Sequence, residues 1–188
     1  MGPILIIYYS RTGTVAEMAT YVMKGALSQN VTVNLRRIAS LGEDSVEGPL
    51  FVTNDDLREC SGLIMGSPTR FGQMAACVRS FWDKTGDIWY GGQLEGKPAG
   101  VFTSSSSMHG GQESTLLGMM MPLIHHGMLV TGIPYSEKAI EETESGGGPY
   151  GASVVAQKGK QSMTEDEKVI CQELGMRIAK LAKKLHDE

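Results

Sequence analysis

Hydrophobic positions along the chain change period in a regular alternation. Ile4 to Tyr9 is an unbroken apolar run, the mark of a strand buried on both faces of a parallel sheet. Ser10-Arg11-Thr12-Gly13-Thr14 breaks it. Val15, Met18, Ala19, Val22, Met23 and Ala26 then recur at helical spacing. Val31, Val33 and Leu35 alternate with polar neighbours and predict a second strand, and residues 40–53 read as an exposed loop. Asn54 is the expected cap of a short helix through Leu57. Leu63-Ile64-Met65 predicts a third strand, ended by Gly66-Ser67-Pro68. Residues 74–85 carry Ala75, Val78, Phe81 and Trp82 on one helical face. Ala99 to Phe102 predicts a fourth strand, Glu113 to Ile124 a helix, and Met128-Leu129-Val130 a fifth strand. A Gly-rich excursion over 132–160 precedes a last helix, which opens on the capping-box pattern Thr164-Glu165-Asp166-Glu167. Five strands alternating with five helices predict an α/β fold with a doubly wound parallel sheet.

Composition bounds the class. The 188 residues fit one domain spanning 1–188. With 41% apolar and 20% charged residues, the chain is neither a disordered tail nor a fibre. A net charge of −4 argues against binding nucleic acid through counterion release. Cys60, Cys77 and Cys171 form no CxxC pair, which points to idle thiols in a reducing, cytoplasmic setting. The first residues lack the pattern of a secretory signal, and no apolar run approaches a membrane span. Twenty-four glycines, about 13% against a usual 7% or so, are the outlier.

Chemistry is expected beyond the carboxyl ends of the strands, near the switch point of the sheet. After the first strand, Ser10, Thr12 and Thr14 surround Gly13 at a helix start, a setting for a phosphate or for an ordinary cap. The loop is neither a Walker A nor a GxGxxG sequence. After the third and fourth strands come Pro68-Thr69-Arg70-Phe71-Gly72 and the Ser104–Gly111 loop. Three such loops on one edge suit a phosphate and a flat ring, the geometry of a flavin mononucleotide (FMN) site. No carboxylate or cysteine lies at ligand spacing from a histidine, so no metal site is expected. Ser104 to Ser107 lack the G-x-S-x-G elbow of a serine hydrolase.

Tyr8-Tyr9-Ser10, Ser67-Pro68-Thr69-Arg70-Phe71-Gly72, His109-Gly110-Gly111-Gln112-Glu113, His125-His126-Gly127-Met128 and Pro149-Tyr150-Gly151-Ala152 together resemble the WrbA family. These are flavodoxin-like NAD(P)H:quinone oxidoreductases, and the resemblance covers nearly the whole chain. It implies a five-stranded sheet of order 2-1-3-4-5 with the Gly-rich insertion before the last helix. It places the FMN phosphate on Ser10, Arg11, Thr12, Gly13, Thr14 and Val15. The ring would lie between Pro68, Thr69, Arg70 and Phe71 on one side and Ser104, Ser105, Ser106, Ser107, Met108, His109 and Gly110 on the other. His125 matches the family's FMN-contacting histidine, and Trp89 and Tyr135 would border the substrate. Position 12 is Thr where some members carry a tyrosine, and the 104–111 loop is one residue longer than in some. Arg70 and His125 are the catalytic candidates, Arg70 because a cation beside the ring stabilises negative charge on reduction.

The implied activity is two-electron reduction of quinones to hydroquinones by NAD(P)H, in ping-pong order, by a homotetramer. The apolar residues of the 132–160 excursion, Ile133, Pro134, Tyr135, Ile140, Tyr150 and Val154, motivate the assembly. The alternative is a flavodoxin-type electron carrier without its own NAD(P)H activity. Such carriers tend to be strongly acidic, and −4 is mild. An accessory to a transcription factor finds no support in the residues. Trp82 belongs to a helical stripe and reads as core; Trp89 lies outside it and suits stacking on a planar substrate.

Overall fold

The computed structural model describes residues 1–42, 48–156 and 163–186. Parts of two segments discussed above, 43–47 of the exposed loop and 157–160 of the excursion, lie outside the described residues. The strands are β1 (Ile4–Tyr8), β2 (Val33–Arg37), β3 (Gly62–Pro68), β4 (Pro98–Ser105), β5 (Leu129–Val130) and β6 (Ala152–Val155). The helices are α1 (Thr14–Leu27), α2 (Asn54–Glu59), α3 (Ala76–Trp82), α4 (Gly86–Tyr90), α5 (Gln112–His125), α6 (Lys138–Glu142) and α7 (Glu165–His186). Every strand pairing in the sheet is parallel, in the order β2-β1-β3-β4-β5, as expected. Ile4 to Ile7 are fully buried, in agreement with the unbroken apolar run.

A sixth strand was not expected. β5 pairs with the start of β4, Pro98 opposite Leu129, whereas β6 pairs with its end, Phe102 opposite Ala152. The excursion therefore splits the last strand position in two and returns to complete it. Its apolar residues serve the protomer itself: Ile133, Ile140 and Val154 are buried in the core beside α1 and α7. That removes the excursion as the reason for a partner surface; among its described residues, only Tyr135 and Tyr150 are large apolar side chains left exposed.

Four further boundaries differ from the expected ones. β3 runs through Ser67 and β4 through Ser105, because buried hydroxyls find partners there. Thr103 Oγ1 donates to Ser67 O at 2.7 Å, and Ser67 Oγ accepts from Ala75 N at 2.9 Å. The cap of α2 is Thr53, whose hydroxyl accepts from Asp56 N while Asp56 accepts from Thr53 N, a capping box. The predicted helix over 74–85 ends at Trp82, and α4 follows as a separate turn carrying Trp89.

Candidate functional site

The carboxyl ends of β1, β3, β4 and β6 meet at one edge, on either side of the switch between β1 and β3. A cavity of about 430 Å³ lies there. Its first wall is the 10–15 segment. Gly13, at φ +95°, lets the chain turn sharply into α1, and its N–H donates to Ser10 Oγ at 3.2 Å. Glu17 N–H is the first to bond back, to Gly13 O at 2.9 Å, so the N–H groups of Thr14, Val15 and Ala16 have no helical acceptor. The second wall is Pro68 to Arg70. Thr69 N donates to Ser104 O at 2.8 Å, and Thr69 and Thr115 share a hydroxyl contact of 2.7 Å. The third is Ser104 to Ser106, with Ala156 beside it donating its N–H to Ser105 O at 2.7 Å.

The donor set is one-sided. Seven hydroxyl side chains and the guanidinium groups of Arg11 and Arg70 line the cavity, and no carboxylate does. Free helix N–H groups, hydroxyls and cations are what a phosphate and a polar heterocycle require. FMN therefore fits the residues present.

Some expected site residues sit elsewhere. Phe71 is not in this cavity but on an adjoining hollow of about 910 Å³, which shares Arg11 and Arg70 with it. Phe71 is fully exposed at φ +53° with Gly72 at +76°, in a tight turn closed by Arg70 N to Gln73 O at 2.7 Å and Gln73 N to Arg70 O at 3.0 Å. A bulky residue in that conformation is strained, so the turn fixes an aromatic ring in solvent. Ser107, Met108, His109 and Gly110 fold into their own turn outside the cavity lining, where Ser107 O accepts from Ser105 Oγ and Gln112 Nε2.

His125 and Trp89 are brought together, but not at the cofactor cavity. They line two hollows at the far end of α5, of about 360 and 340 Å³. That end lies about 20 Å from Gln112, at 1.5 Å per helical residue. Phe71, Trp89 and His125 thus do not enclose one pocket within a protomer. Tyr135 lines none of these four hollows.

His126 is a buried structural group that the sequence could not place. Thr85 Oγ1 donates its single hydrogen to Trp82 O at 2.8 Å, so His126 Nε2 is the donor in the 3.0 Å contact with Thr85 Oγ1. Its ring tilts on Trp82, centroids 5.2 Å apart. Burial first, and the neighbouring His125 second, lower its pKa and keep it neutral. No disulfide joins the three cysteines, and all are buried; burial pushes the Cys60 thiol up to about 11 and the Cys171 thiol higher still. No helix among the described residues is long and apolar enough to cross a membrane.

A cavity lined by hydroxyls and two guanidinium groups at the switch point of a 2-1-3-4-5 parallel sheet defines a protein of flavodoxin-like fold. The family model described as NADPH-dependent FMN reductase matches residues 9–138. An NAD(P)H dehydrogenase (quinone) of Rhizobium rhizogenes strain K84 is 41% identical, over 98% of this chain and 99% of that protein. The same-named protein of Chromohalobacter salexigens is 43% identical, again over 98% of this chain and 99% of that protein. In fold, the chain is similar to the flavodoxin-like, WrbA-like protein of Agrobacterium tumefaciens, with a TM-score of 0.72, 22% identity, and coverage of 98% of this chain and 99% of that one. The chain belongs to the WrbA-type NAD(P)H dehydrogenase (quinone) family.

Proposed function

We propose that the protein is an FMN-dependent NAD(P)H:quinone oxidoreductase that reduces quinones by two electrons. The observation that carries this reading is the cavity of seven hydroxyls, two guanidinium groups and no carboxylate at the ends of β1, β3 and β4. When bound, FMN supplies the hydride acceptor and the two-electron donor; the protein supplies placement and electrostatics. Ser10, Thr12, Thr14 and the free N–H groups of α1 hold the phosphate. Pro68 to Arg70 and Ser104 to Ser106 flank the ring, and Arg70 offers a cation to the charge that reduction brings. The names of the relatives favour this reading over an electron carrier. Three buried cysteines joined by no disulfide suit a reducing compartment such as the cytoplasm.

The site is completed by assembly. Leu117, Met121 and Ile124 recur at i, i+4 and i+7 on α5 and are each about half exposed, next to exposed Trp89 and Tyr90. This stripe supports a homotetramer in which Trp89 and His125 of one protomer reach another protomer's cofactor cavity.

FMN fluorescence should be quenched with a 1:1 endpoint, and Ser10→Asp should weaken binding by setting like charge against the phosphate. Equal affinity in both proteins would remove the phosphate assignment. With cofactor bound, NADH and benzoquinone should give parallel double-reciprocal lines, since two flat substrates must alternate at one ring. Intersecting lines would count against the alternation.

A further inference from the structure

The hollow of about 910 Å³ beside the cofactor cavity is unassigned by the reading above. It is roughly twice the size of its neighbour. Its lining holds three guanidinium groups, Arg11, Arg70 and Arg79, and no carboxylate, in a chain whose net charge is −4. Met74, Ala75 and Met121 give it an apolar wall, and Phe71 stands exposed at its rim. Apolar walls with a few placed cations are the makings of a small-molecule site.

Arg11 and Arg70 also line the FMN cavity, so their charge is committed to the cofactor. Arg79 is the cation of this hollow that the cofactor cavity does not share. Its Nε donates to Asp83 Oδ1 at 3.2 Å, one turn along, which orients the group. Among the described residues, the two terminal nitrogens have no partner. An oriented guanidinium with a free fork end matches a phosphate better than any other common anion save a carboxylate.

We infer that this hollow seats the adenosine diphosphate half of the nicotinamide donor, with Arg79 gripping the diphosphate. The inference rests on the oxidoreductase reading. A dinucleotide carries one nucleotide more than FMN, and the larger hollow adjoins the smaller one across their shared Arg11 and Arg70. The nicotinamide end can therefore reach the cofactor while the diphosphate lies against Arg79 and the base against Met74 and Ala75.

The test compares NADH with reduced nicotinamide mononucleotide, which carries the same hydride but lacks the adenylate. Both are assayed with benzoquinone on FMN-loaded wild type and Arg79→Gln, and ADP is titrated into both proteins by calorimetry. Losing a charge-assisted contact should lower kcat/KM for NADH about ten- to a hundredfold, mainly through KM. The mononucleotide should be unaffected within about twofold, since it never reaches Arg79, and Arg79→Lys should recover part of the loss. ADP should bind wild type and lose affinity by a similar factor in Arg79→Gln. Equal losses for both donors, no loss for either, or equal ADP binding to both proteins would overturn the inference. Wild type that binds FMN yet oxidises neither donor would instead defeat the oxidoreductase reading. The ADP titration would still decide whether the hollow seats this half of the nucleotide.

Discussion

The two faces of the sheet are finished differently. On one face, α1 and α7 lie so close that their backbones nearly touch: a Cβ on Gly25 would stand 1.9 Å from Gln172 O, and one on Gly175 1.9 Å from Val22 O. The excursion adds Ile133, Ile140 and Val154 to that core and seals it. On the other face, short α3 and α4 and the longer α5 cover the sheet but leave Phe71, Trp89, Tyr90, Leu117, Met121 and Ile124 in solvent. Of the four hollows described above, three lie on the open face and none on the sealed one. Substitutions on the two sides should therefore fail in different ways.

The largest effect on the fold is expected on the sealed face. Gly175→Ala must push α7 off α1, because the obstruction is backbone and cannot rotate away; the loss should be about 3 kcal/mol or more in urea unfolding. FMN affinity of the molecules that remain folded should hold. Next comes Glu167, a fully buried carboxylate at the start of α7. Its Oε1 accepts from Ser145 Oγ at 2.8 Å and from Gly146 N and Val155 N at 3.1 Å, and its Oε2 accepts from Thr164 N at 2.9 Å. It ties α7, β6 and the loop after α6 together. Glu167→Gln turns two donors toward other donors and should cost about 2 kcal/mol, read by thermal melting.

These features were unequally legible in the sequence. The Ile4–Tyr9 run, the α1 stripe and the Thr164–Glu167 capping box are local signals, and the structure follows each closely. β6 was missed because four residues in a Gly-rich stretch become a strand only by pairing with distant β4. Thr103 to Ser105 looked like loop because hydroxyls count as polar, whereas here all three are buried, with Thr103 donating to Ser67 O inside the sheet and Ser105 to Ser107 O just beyond it. That the 10–15, 68–70 and 104–106 segments would meet in one cavity was legible because each is a contiguous stretch after a strand. The separation of His125 and Trp89 from it was not, since the length of α5 intervenes. Trp82 could be assigned to the core from its stripe alone, and it is buried.

A smaller, pH-dependent effect is expected at His126, on the open face but inside it. Its folded pKa is depressed below the ordinary 6.5 by burial and by His125. Above 6.5 the ring is neutral in both folded and unfolded chains, and its full contribution is present. As pH falls below 6.5 the unfolded chain takes up the proton first, so stability drops until the folded pKa is passed. The slope from this one site cannot exceed about 1.4 kcal/mol per pH unit. Urea unfolding between pH 7.5 and 5 should show the decline, and His126→Phe should flatten it. An unchanged slope in that variant would assign the decline to other groups.

The smallest effect on the fold should come from the stripe on α5, and it sharpens the contrast most. Leu117 and Ile124 are 46% and 54% exposed. Substituting both by Glu removes little buried surface within the protomer, so unfolding free energy per chain, measured on dissociated protein, should shift by no more than about 0.5 kcal/mol at each site. The assembly should respond quite differently. Two carboxylates placed on an apolar contact must be desolvated for every copy that docks, which such interfaces do not tolerate. Sedimentation at micromolar concentration should show tetramer for wild type and monomer for the double variant. If Trp89 and His125 complete a neighbour's site, the monomer should still quench FMN yet lose most quinone reduction. Full activity in a demonstrated monomer would mean that each protomer's open face is sufficient alone, and that its exposed aromatic residues serve something other than a second copy.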